Sequence, residues 1–185
     1  MPAVINLTNE HVVQVAVKMV NETGWESLNA RSLAKALNIS TKPLYRMYSS
    51  MDEIKENIYK EIYRQYDEFI NSRIDNKKAL ITLAVAYVEF SKKYNNLFKC
   101  LFLSNNLKWK NLEDVLDEKW NQSTIINLVN KHGYNFEDAK NLFLNYWLYV
   151  NGLATLIATN DLDINEEELL VKLVKMYKML TKNEK

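Results

Sequence analysis

Apolar residues recur three or four apart along almost the entire chain, the spacing of one face of an α-helix. Val12, Val13, Ala16, Val17 and Val20 form such a stripe over Asn9–Glu22, and Gly24 ends that helix. Trp25 follows as the expected plug of a three-helix core. Leu33, Ala34 and Leu37 predict a short second helix, and a third runs from about Ser40 to Tyr48. Ile54, Ile58, Ile62, Tyr66 and Phe69 share one face of a long helix from Asp52 to about Ile74. Its first turn holds Asp52 and Glu53, where the helix dipole favours acid. Its start belongs to the first core and its end to the next domain, so it is a candidate rigid lever between two domains, 1–51 and 52–185. Leu80, Leu83, Ala84, Tyr87 and Phe90 predict a helix over Ala79–Tyr94, and a short apolar one follows at Leu97–Leu103. Three more are predicted over Leu112–His132, Phe136–Thr159 and Glu166–Lys182, with Gly133 as the residue past the first of these. The pattern predicts nine helices and no strand, an all-α fold.

The turn between the second and third helices is the most sharply written part of the chain. Asn29 stands where an N-cap acceptor is wanted. Asn38 stands where a helix stops in a left-handed conformation, which Asn tolerates better than most residues. Ile39 can fold back into the core, Ser40 can cap the next helix, and Pro43 falls in its first turn, where a missing N–H costs little. From Ser27 to Met51 there are four basic residues, Arg31, Lys35, Lys42 and Arg46, and no acidic one. Two crossing helices, one of them short and basic, are what a DNA major groove accepts. Lys42 can donate to guanine O6 and N7, and Thr41 can bond a base or set its methyl against thymine. Arg31, Lys35 and Arg46 suit backbone phosphates.

Composition narrows the alternatives. At 185 residues the chain can bury a real core, and only three Gly and two Pro support helix over sheet. Net charge is +1, so nucleic-acid binding must rest on local charge. Cys100 lies alone in an apolar run and reads as a buried, reduced thiol. The start of the chain, MPAVINLTNE, lacks the cationic lead and apolar core of a secretion signal, so the expected compartment is the cytoplasm. Twenty uncharged residues lie between Lys140 and Asp161, long enough to span a bilayer. Asn145, Asn151, Thr155 and Thr159 recur inside that run, which favours a helix buried in a core or subunit interface. Catalysis is disfavoured: His11 and His132 are the only imidazoles, and there is no Gly-rich phosphate loop or paired-Cys motif. No cofactor or metal site is expected.

The residues from Asn29 to Ile54, NARSLAKALNISTKPLYRMYSSMDEI, resemble the N-terminal signature of the TetR/AcrR family of bacterial transcriptional regulators. The signature covers roughly residues 9 to 58, and the nine-helix layout is similar to that family's fold. The segments at Tyr87–Phe102 and Trp147–Leu156 resemble a branch with a Trp-x-x-x-His-Gly motif, although Asn151 replaces the His. The resemblance implies that Arg31 meets phosphate or a base edge, that Thr41 and Lys42 face bases, and that Tyr45 bonds a phosphate while its ring packs on the helix. Asn29, Ser40 and Arg46 complete the expected DNA-binding set. Tyr48 replaces a usual Phe and reads as core. Many members carry Lys where this chain has Met51, and losing one phosphate contact flattens the salt dependence by about one unit of slope.

Two operator half-sites one helical turn apart need a symmetric dimer. Its expected interface is the last two helices, with Asn151, Gly152 and Ala154 permitting close approach and Tyr146, Trp147, Tyr149 and Leu153 as anchors. The resemblance places a small-molecule pocket in the larger domain. Its expected walls are Tyr87, Phe90, Phe102, Trp109, Trp120 and Asn151, which suit an apolar or aromatic effector. Glu89 and Asn145 are further candidate polar groups. The implied function is that of a non-enzymatic repressor released from a palindromic operator by such a ligand. The open alternatives are control by a protein partner, no effector at all, or activation instead of repression.

Overall fold

A computed structural model describes residues 7–106, 109–160 and 162–182, the side chain of Trp120 excepted. Among these residues the regular structure is helical: α1 (Asn9–Thr23), α2 (Ala30–Ala36), α3 (Thr41–Met47), α4 (Met51–Asn71), α5 (Ala79–Lys93), α6 (Asn95–Phe102), α7 (Lys119–His132), α8 (Phe136–Asn160) and α9 (Glu166–Lys182). Short 3-10 turns stand at Trp25–Ser27 and Glu113–Val115. Gly24 ends α1 at φ 84°, and Gly133 ends α7 in the left-handed region at φ 74°. A side chain would strain both positions.

The helices form two packed units, one of Met1–Asp67 with Tyr94–Asn106, the other of Glu68–Lys93 with Leu107–Lys185. By packing the chain divides inside α4, after Asp67. Ile54, Ile58 and Ile62 are fully buried in the first unit, and leaving that core would expose all three. Helix α6 joins the same core. Its Phe102 ring meets Tyr66 edge-on at 5.1 Å, and Asn96 Nδ2 donates to Asn21 O on α1 at 2.9 Å. Cys100 is buried there, and desolvation pushes its thiol up to about 12, which leaves it inert as a nucleophile.

In the second unit α8 packs against α5, α7 and α9. Tyr146 is the anchor between α8 and α9. It is 1% exposed, and its hydroxyl donates to Leu173 O at 3.2 Å. Burial raises its phenol well above the ordinary value. Helix α8 is long and apolar enough to cross a membrane by composition, but Leu142, Phe143, Val150 and Ala154 are buried within the protein.

Two helix ends differ from expectation by three residues or more. Helix α7 begins at Lys119 rather than Leu112, because Asn111 Oδ1 takes the Asp114 N–H at 3.0 Å and turns the chain into a 3-10 loop. Helix α4 stops at Asn71 rather than Ile74. Arg73 folds back to donate to Phe69 O at 3.2 Å and stacks 3.6 Å from the Phe69 ring centroid.

Candidate nucleic-acid interface

The surface around α2 and α3 is built by local bonds. Asn29 Oδ1 accepts the N–H groups of Arg31 and Ser32, both at 3.0 Å, and Ser32 Oγ accepts the Asn29 N–H at 3.0 Å. This reciprocal box satisfies the first donors of α2. It also commits the Asn29 oxygen to the cap. At the other end Asn38 takes φ 55°, the only left-handed non-glycine residue described. The Ile39 N–H reaches Ala34 O at 2.9 Å and the Asn38 N–H reaches Lys35 O at 3.1 Å, the two bonds of a Schellman motif. Together they fix how α3 leaves α2.

Leu33 and Leu44 are fully buried between the helices, with Leu28 and Tyr48 at 3% and 4% exposure. Leu28 thus fills the place expected for Trp25, whose half-exposed ring instead lies 5.8 Å below the Lys55 ammonium. Tyr48 is core, as its position implies, but its hydroxyl is buried without a hydrogen-bond partner. Desolvation, then the charge of Glu53, raises its phenol above the ordinary value. Nothing in the sequence marks that orphaned hydroxyl.

Ser40 stands at the N-cap position of α3, yet its hydroxyl makes no cap bond. Pro43, the third residue of the helix, removes one of the two N–H groups an N-cap side chain can use, leaving only that of Lys42. The expected capping role of Ser40 is therefore corrected, and the residue remains exposed.

Arg31, Lys35, Lys42 and Arg46 are all exposed, and among the described residues none of them forms an ion pair. Elsewhere Lys60, Arg64, Arg73 and Lys92 each meet a carboxylate within 3.1 Å. Tyr45, expected to rest its ring on the helix, exposes 52% of its surface. Thr41 is half-buried beside it. Glu53, just past α3, is tied down: its Oε2 accepts the Ser49 hydroxyl and the Ser49 N–H, both at 2.7 Å. The hydroxyl bond is the larger cause holding this carboxyl below its ordinary 4.5. Helix α3 has seven residues, about 10 Å at 1.5 Å per residue, and a B-DNA major groove is about 12 Å wide. A short cationic helix with unpaired charges can enter that groove, while α2 can lie across the backbone.

No family model matches the chain. Among solved structures, a transcriptional regulator from Rhodococcus sp. Rha1 superposes with a TM-score of 0.63 at 16% identity, over 96% of this chain and 97% of the other. A TetR transcriptional regulator from Rhodococcus sp. RHA1 gives 0.54 at 14% identity, over 96% and 97%. This is the TetR fold. The multidrug binding protein EbrR, solved with imidazole, shares it at a TM-score of 0.60 and 13% identity, over 90% of this chain and 88% of that one. In sequence, the chain is 30% identical to the nucleoid occlusion factor SlmA of Haemophilus ducreyi over 89 residues. That match covers 45% of this chain and 44% of the relative, so the chain matches less than half of that protein's length.

Within the TetR fold the residues expected to form a pocket divide. Tyr87 Oη donates to Asn151 Oδ1 at 2.9 Å, joining α5 to α8. Phe90 is buried with its ring 5.4 Å from Phe69. Trp109 meets Trp147 at 5.5 Å and 70°, and its indole N–H donates to Glu118 Oε1 at 3.1 Å. Phe102 belongs to the first unit, among Tyr66 and Phe98, and is not placed with the others. The Trp120 side chain lies outside the described residues. Glu89 is bound to Arg73 at 3.1 Å, and Asn145 is exposed, bonding Asn141 O on its own helix. Sequence reasoning missed Glu118. It stands at the N-cap of α7, a place recognisable only from the late start of that helix.

Proposed function

We propose that this protein is a non-enzymatic, DNA-binding transcriptional regulator of the cytoplasm, with residues 1–51 as the part that meets DNA. The observation that carries the reading is the set of four exposed, unpaired cations around a Schellman turn. Lys42 and Thr41 read base edges, Arg31, Lys35 and Arg46 bind phosphates, and Tyr45 and Ser40 offer hydroxyls to the backbone. Asn29 serves the interface through its cap, by orienting α2.

The regulator acts as a homodimer on a palindromic operator, the half-sites about 34 Å apart. Helices α8 and α9 support this by their outward faces. Leu148, Leu156, Leu170, Val171 and Met179 are exposed there, and open space lies over Gly152. Tyr146 and Ala154, also expected there, are buried within the chain, while Trp147 is half-buried and meets Trp109. A small apolar or aromatic effector in the second unit releases the DNA, and the protein acts as a repressor. The likeness in fold to EbrR, described as multidrug-binding, supports a ligand-responsive regulator.

The test is a gel shift on promoter DNA flanking the protein's own gene, with wild type, Arg31→Ala and Lys42→Ala, at several salt concentrations. Wild type is expected to prefer this DNA over a random duplex and to lose affinity steeply with salt. Lys42→Ala should relax base preference, and Arg31→Ala should weaken all sequences alike. If all three bind the promoter no better than the random duplex, the reading fails.

A further inference from the structure

We propose that α9 docks antiparallel on the α9 of a second copy, with Val171 and Val174 at the two-fold axis and Glu167 of each chain against Lys178 of the other. The proposal rests on the homodimer proposed above and adds the register that selects the partner. Glu167, Val171, Val174 and Lys178 follow one another at steps of four, three and four, so they form one stripe along α9. That stripe points away from the chain's own core, which takes Leu169 and Leu173 from the other side of the helix. Val171 is 59% exposed, Val174 is half-buried, and Glu167 and Lys178 are exposed. An open groove runs along this face, lined by Leu170, Val171, Val174 and Met179 among lysines. Lys175 and Lys182 lie to one side of the stripe and are exposed.

The order of the stripe is acid, apolar, apolar, base, and it is centred midway between Val171 and Val174. A two-fold contact brings residue i against j and j against i. Turned end for end onto itself, the stripe sets each Val171 against Val174 and each Glu167 against Lys178. The two charges are eleven residues apart, about 16 Å along a helix, so both ion pairs form at once and flank the valines. Parallel pairing would set Glu167 against Glu167 and Lys178 against Lys178, like charges in both places. The charges are also available. Glu168 meets Lys172 one turn on, at 3.4 Å. Glu167 has Leu170 and Val171 at those steps, and Lys178 has Val174 and Lys175 one turn before it, so neither finds an opposite charge there. Among the described residues neither forms an ion pair.

Sedimentation equilibrium on the full chain tests the register, and wild type is expected to be a dimer. Glu167→Lys and Lys178→Glu each turn two attractions across the axis into two repulsions. Each should weaken dimerisation by about two- to thirty-fold, a range set by the modest strength of exposed ion pairs. Both substitutions in one chain restore opposite charges and should return the dimer to near its wild-type affinity. An equimolar mixture of the two single-variant chains should form mixed dimers in excess of random pairing, because only the mixed pair is complementary. Unchanged circular dichroism would show that the variants fold. If a reversal does not fold, Glu167→Gln and Lys178→Gln, which only remove the attraction, replace it and should still loosen the dimer. Unchanged dimerisation of the single variants, random mixing, or a double variant no tighter than the singles overturns the register and leaves the homodimer. A monomeric wild type overturns both.

Discussion

Helices α3 and α8 handle polar groups in opposite ways. Helix α3 has seven residues, buries only Leu44, and turns Lys42, Tyr45 and Arg46 outward without carboxylate partners. Helix α8 has twenty-five residues, carries no charge between Asn141 and Asn160, and spends its polar atoms on internal partners: Tyr146 on Leu173, Asn151 on Tyr87. Surface ion pairs are worth about 0–1 kcal/mol, so leaving cations unpaired costs the fold little. They remain free for an external anion. Buried polar groups cost far more when unmatched, so those of α8 are fixed in place and define an interior. The contrast separates a surface made for a partner from a frame that holds a site.

The largest effect expected from breaking this contrast is on the frame. Phe90→Ala removes a ring that is 1% exposed and packed on Phe69. It should destabilise the protein by about 3–5 kcal/mol in chemical denaturation, and a loss under about 1 kcal/mol would show that the region is loosely packed. On the partner surface the ordering reverses. Arg31→Ala and Lys42→Ala should leave the melting temperature within a degree or two while operator affinity falls by about 1–3 kcal/mol for Lys42, and the salt slope by about one for Arg31. Equal losses of folding and binding would erase the distinction.

Smaller effects sharpen it. Asn29→Ala should cost about 0.5–2 kcal/mol of stability through the lost cap, and operator affinity should drop as α2 frays. An unchanged melting curve would mean that the box with Ser32 is idle in solution. Tyr48→Phe removes a buried hydroxyl that has no partner, so it should be neutral or stabilising by up to about 1 kcal/mol, and a clear loss of stability would reveal a hidden partner. The least effect is expected at Glu53. Its carboxyl is held below 4.5, so the stability it adds is present above that pH and is lost as pH falls through its lower native value. Glu53→Gln should therefore lower the melting temperature slightly at pH 7 and not at pH 3. A difference that persists at pH 3 would point to packing rather than charge.

Much of α1 to α4 was legible because its determinants are local. The stripe from Val12 to Val20, the cap at Asn29 and the left-handed Asn38 each act within five residues, a range over which sequence order is spatial order. Even Ser40 partly belonged to this class: Pro43, three positions on, removes one of the two donors that a cap can use. The plug did not. Trp25 and Leu28 are both apolar and near the same turn, and only packing chose Leu28 and left the larger ring half in water beneath Lys55.

By itself, the sequence determined the all-α class, the turn geometry between α2 and α3, and the acid-free basic stretch around it, because short-range hydrogen bonding and helical periodicity need no knowledge of distant chain. Only the tertiary structure decided which aromatics meet. Tyr87 finds Asn151 across 64 positions, Trp109 finds Trp147, and Phe102 joins the first unit instead of the second. Apolar side chains attract one another almost without direction. Their partners are therefore chosen by how whole helices pack, and a polar group such as Glu118 gains its role only where that packing delivers a ring.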